Sequence, residues 1–87
     1  MPIRQPWLDF KNEAIKTVPD SSGVFELGDQ AKNVIMIKGA DKMQQTLLEL
    51  KNSGEPSVEK ALFVRFEEEF MYTQRETELL QAYMRVN

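Results

Sequence analysis

The sequence predicts an α/β domain of the α+β type. A small, mainly antiparallel sheet of three strands carries helices against it, in the order α-β-β-α-β-α. Three observations predict this. Apolar residues follow a helical spacing in some stretches and run together as short strands in others. The first two strands, ending at Leu27 and starting at Val34, are joined by a short polar loop, which favours an antiparallel hairpin. The chain has 87 residues, enough for one domain, so every amphipathic element must serve one core.

The elements follow in order. Apolar residues at 7, 10, 14, 15 and 18 predict an N-terminal helix over about 7–18, ended by Pro19 and the turn cluster Asp20-Ser21-Ser22-Gly23. Val24-Phe25-Glu26-Leu27 reads as a short strand. After the polar reversal Gly28–Asn33, Val34-Ile35-Met36-Ile37 reads as a second strand, apolar throughout and therefore central. Asp41 with Gln44 has capping-box spacing and starts a helix whose buried face is Met43, Leu47, Leu48 and Leu50. Asn52-Ser53-Gly54-Glu55-Pro56 stops it, and residues 57–60 add a helical turn. Ala61–Phe66 forms the third strand. The last helix begins near Gln74 and places Tyr72, Leu79, Leu80, Tyr83 and Val86 on one side. Its pattern still holds at Asn87, which leaves room for the chain to continue in a longer protein.

Composition excludes several kinds of chemistry. The chain contains no Cys and no His, so disulfides, thiol nucleophiles, Cys/His zinc sites and imidazole bases are ruled out. No apolar run approaches the roughly 20 residues of a membrane span. The N-terminus lacks the apolar core of a signal peptide, so a cytoplasmic location is expected. The net charge is −3, from 11 basic and 14 acidic residues, and offers no basic surplus for phosphates. Between Glu55 and Glu78 the local balance is −4, which disfavours nucleic acid as a partner.

Gly23-Val24-Phe25, ten residues, then Met36-Ile37-Lys38 resembles the paired tripeptides of the GIY-YIG superfamily. The resemblance covers about residues 19–86 within a single domain spanning 1–87. It extends through a polar-capped helix, a third strand and a helix opening with Arg75-Glu76. It implies the scaffold of a metal-dependent nuclease. In that family two motif tyrosines, a helix arginine and a later glutamate form the site. A hydroxyl positions the attacking water, a guanidinium steadies the phosphate, and a carboxylate holds Mg²⁺ or Mn²⁺. Here the first tyrosine position falls on Phe25 and the second on Met36. The last glycine falls on Lys38, with Gly39 one residue late, and the arginine on Thr46, with Lys42 as the nearest base. The glutamate falls on Glu76, followed by Leu79 and Leu80. At about 100° per residue, Glu76 lies within about 40° of Tyr72, whereas Glu78 points outward.

Glu76 has competing readings: a metal ligand, the acid of a Thr73-x-x-Glu76 capping box, or a partly exposed acid. Lys38 and Lys42 are candidates for an anionic ligand, against a snorkelling role. Glu67-Glu68-Glu69 reads as a solvated strand end or as a contact for a cation or basic partner. Trp7, Leu8 and Phe10 read as core or as a docking patch. Two functions are expected from these residues. The favoured one is a non-catalytic module for a protein partner or an anionic ligand, needing no cofactor. The alternative is a residual endonuclease or phosphodiesterase using Mg²⁺ or Mn²⁺, with Glu76, Lys38 or Lys42, and Tyr72 or Tyr83.

Overall fold

The middle of the molecule is Gly23–Gly28 (β2), every residue of which is buried. The computed structural model describes Ile3 and residues 5–86. Among the described residues the other elements are Leu8–Asp9 (β1), Asn12–Ile15 (α1), Val34–Ala40 (β3), Met43–Lys51 (α2), Pro56–Glu59 (α3), Phe63–Glu68 (β4) and Tyr72–Val86 (α4). They form an antiparallel sheet of four strands in the order β1-β4-β2-β3.

β2 and β3 form the expected hairpin, with Phe25 opposite Lys38 and Leu27 opposite Met36. Asp29 builds the turn: its Oδ1 accepts the amides of Ala31 and Asn33, and Lys32 takes the left-handed conformation at φ 64°. A register shift beside Leu27/Gly28 leaves Ile35 as an extra residue on β3.

Alternation then sorts side chains to two faces. Phe25 and Leu27 join Phe10, Ile15, Val18, Met43, Leu47 and Val64 in the main core, beneath α1, α2 and α3. Val24 joins Ile3 and Leu79 in a smaller cluster beneath α4, with Ile37 and Tyr72 against it. Helices on both faces explain why β2 has no exposed side. No helix among the described residues is long and apolar enough to cross a membrane.

Several expectations need correction. The N-terminal helix over 7–18 is instead a strand pair followed by one helical turn. Leu8 pairs with Val64 and Asp9 with Phe63, and the Phe10 amide donates to the Leu62 carbonyl. The free edge of β4 supplies hydrogen bonds that outcompete a helix there, and this adds a fourth strand to the expected three. The second strand of the hairpin is not central; β3 is an edge, and the apolar run 34–37 packs its Met36 and Ile37 against opposite cores.

The Asp41–Gln44 capping box is also absent. Lys42 holds the cap position without a side-chain bond, and the preceding turn serves the helix instead: the Met43 amide donates to the Ser21 carbonyl and the Gln45 amide to Asp20 Oδ1. Gln44 turns back to donate to the carbonyls of Lys16 and Val18, closing the end of α1. In the last helix Leu79 is buried and Leu80 is 41% exposed. The side chain of Val86 lies outside the described residues.

Candidate functional site

The positions suggested by the GIY-YIG resemblance divide between the two faces of the sheet. Phe25 is wholly buried in the main core and Met36 packs against the same core. Thr46 is half-buried on α2, and Lys38 and Lys42 are exposed. Glu76 lies on α4, across the sheet from Phe25 and Met36.

Glu76 does not close a capping box with Thr73. Its Oε1 accepts the backbone amide of Gly39 on β3 at 2.5 Å. The contact is close because residue 39 has no side chain. A Cβ there would stand 3.0 Å from the Tyr72 carbonyl oxygen and 3.3 Å from Glu76 Oε1. Among the described residues no three acidic side chains gather as metal ligands do. One Glu76 oxygen is thus engaged by the Gly39 amide.

The most developed polar constellation under α4 is a different one. Glu26 is 0% exposed, and Arg65 stands opposite it on β4. The Arg65 Nε donates to Glu26 Oε1 at 2.5 Å, and Nη2 donates to the Tyr83 hydroxyl at 3.4 Å. The guanidinium lies 4.3 Å from the Trp7 ring centroid, a cation–π geometry. Trp7 reaches this position because Gly28 beneath it has no Cβ; an added one would meet the ring at 3.0 Å. Glu26 Oε2 has no hydrogen-bond partner among the described residues. Burial raises the Tyr83 pKa, the Glu26 charge and a hydrogen bond with the Glu26 carboxylate raise it further, and Arg65 opposes the shift.

A second ion pair lies toward the start of α4. Arg75 donates to both oxygens of Glu67, at 2.7 and 3.2 Å, and approaches Glu78 at 4.0 Å. The hydrogen bond to Glu67 holds the Arg75 pKa above its usual value, against the effect of burial.

Sequence reading missed the Glu26 cluster. Strand alternation places Glu26 on the face opposite Phe25 and Leu27, where a charge is expected to meet water. The available signal was Arg65, a base set among apolar residues in the third strand and positioned to answer it. Trp7 is taken up by Arg65 and Gly28 rather than presented as a docking patch. Trp7→Ala is therefore expected to destabilise the domain by about 2 kcal/mol, through lost apolar burial and a lost cation–π contact. Urea unfolding measures this, and an unchanged midpoint would return Trp7 to the role of an exposed anchor.

The fold and this interior define a class: a small α+β domain whose sheet packs on its last helix through ion pairs as well as apolar contacts. The family model described as "Domain of unknown function (DUF7508)" matches residues 1–85, and the chain belongs to that family. No curated protein and no solved structure matches the chain.

Proposed function

We propose that this domain is a non-catalytic interaction module on a GIY-YIG-like scaffold, working in the cytoplasm and binding a protein partner. The observation that carries this reading is the placement of the four family positions. Phe25 and Met36 lie in one core, Thr46 has no charge, and Glu76 is held by the Gly39 amide on the other side of the sheet. General-base, phosphate-clamping and metal-holding groups must converge within hydrogen-bond reach of one substrate atom. These side chains have neither the chemistry nor the convergence. Support for the scaffold comes from the antiparallel hairpin followed by helix, strand and helix. A fold of that kind does not bring its activity with it once the site is gone.

Lys38 and Lys42 leave an anionic ligand as the second form of the same module reading, since both are exposed near the end of β3. The net charge of −3 weighs against nucleic acid in either role.

The test is cleavage of supercoiled and branched DNA at low salt with Mg²⁺ or Mn²⁺. The expected result is no product. Cleavage that disappears in Glu76→Ala would overturn the module reading in favour of a residual nuclease. A companion variant, Phe25→Tyr, restores the family's residue at the first motif position. It is expected to lose about 1–3 kcal/mol of stability, because the new hydroxyl enters a fully buried apolar site. It is expected to gain no cleavage, and thermal unfolding with the same DNA assay checks both outcomes.

A further inference from the structure

The turn between β4 and α4 holds two large apolar side chains out of the core. Phe70 is 85% exposed and Met71 56%. The backbone that carries them is fixed on both flanks. The Glu69 amide donates to the Ser22 carbonyl at 3.0 Å, and the Met71 amide to Glu69 Oε2 at 3.0 Å. The Arg75 amide then closes the first helical turn onto the Met71 carbonyl. Phe70 is thus presented by a hydrogen-bonded corner, with little backbone freedom to lose on docking. A shallow cleft lies on each side of Glu69, one bordered by Ser21, Ser22 and Phe70, the other by Met71 and Gln74.

Charge decides what fits there. Glu67, Glu68, Glu69 and Glu78 against Arg75 leave the corner at −3, equal to the net charge of the whole chain. A second copy would bring the same acids to the contact and repel. An anionic membrane surface is repelled likewise. The complement is cationic, and it must also offer apolar groups to cover Phe70 and Met71.

We propose that the β4–α4 corner docks a basic segment of another protein that carries apolar residues among its lysines and arginines. Phe70 and Met71 are the apolar anchors, and Glu68 and Glu78, the most open of the acids, are the charge partners. The inference rests on the module reading and names its surface and the chemistry of its partner.

The test titrates the ¹⁵N-labelled protein with a short synthetic peptide alternating arginine and leucine, at near-physiological salt. A companion peptide has serine in place of leucine. The expected amide shifts fall at residues 67–71, 75 and 78. Phe70→Ala weakens binding about tenfold or more, the range set by burying a phenyl ring. Its spectrum is otherwise unchanged, because the side chain touches little of the core. Glu68→Lys with Glu78→Lys abolishes the shifts. If the serine peptide binds as tightly and Phe70→Ala changes nothing, the corner only gathers counterions and the proposal is overturned. Shifts confined to another face also overturn it, yet leave the module reading standing; that reading fails separately, by DNA cleavage.

Discussion

Arg65→Ala is expected to lower the stability of the domain by about 3–5 kcal/mol, the range for breaking a buried ion pair from one side. Glu26 is the reason. Its carboxylate is 0% exposed, one oxygen is bound by Arg65, and the other has no hydrogen-bond partner among the described residues. Removing the guanidinium leaves a negative charge in the space between the sheet and α4, and takes away the cation beneath the Trp7 ring. A domain of this size holds only about 5–15 kcal/mol in all, so the variant sits close to unfolding. Its melting temperature should fall by roughly 12–40 °C, at about 4–8 °C per kcal/mol. Replacing both charges with apolar side chains, Glu26→Leu with Arg65→Met, should recover most of that loss, because it removes the desolvation penalty along with the attraction. Urea unfolding of the two variants separates the effects. An Arg65→Ala protein as stable as the native one would show that Glu26 finds another partner.

The cluster also marks where sequence stopped informing structure. Elements with a strong internal pattern were legible: the hairpin, α2 with Met43, Leu47 and Leu50 inward, and the last helix with Leu79 buried. Features decided by a distant partner were not. The spacing from Trp7 to Val18 suits a helix, but the free edge of β4 binds Leu8 and Asp9 as a strand. Thr73 and Glu76 have capping-box spacing, but the Gly39 amide lies within reach of Glu76 and takes it. Asp41 and Gln44 have it too, yet Asp20 and Ser21 serve the start of α2 from across the loop. In each case local propensity set out an option and tertiary hydrogen bonding chose another. The candidate site shares this limit. The identities at Phe25, Met36 and Thr46 were readable, whereas their separation from Glu76 by the sheet depends on which face each strand presents.

Gly23→Ala is the second large effect, and it bears on why β2 begins with glycine. A Cβ at residue 23 would stand 2.3 Å from the Glu67 carbonyl oxygen and 2.6 Å from Met43 Sδ. The thioether can swing aside. The carbonyl cannot, because Glu67 is paired with Val24 in the β2–β4 ladder. The strands must part at this end of the central strand, and the expected loss is about 3 kcal/mol, the upper range for overpacking. Gly54→Ala is the control. Its φ of 72° also disfavours alanine, but nothing lies within 4 Å of the added Cβ, so a loss of only about 1 kcal/mol is expected. Denaturant unfolding of the pair distinguishes contact from conformation: equal losses would mean that backbone preference, not the approach of β4, fixes the glycine. The larger loss at Gly23 would instead show that the close approach of the Glu67 carbonyl is what requires glycine there. Glycine is then held at residue 23 by packing alone, because β4 and Met43 press against that position.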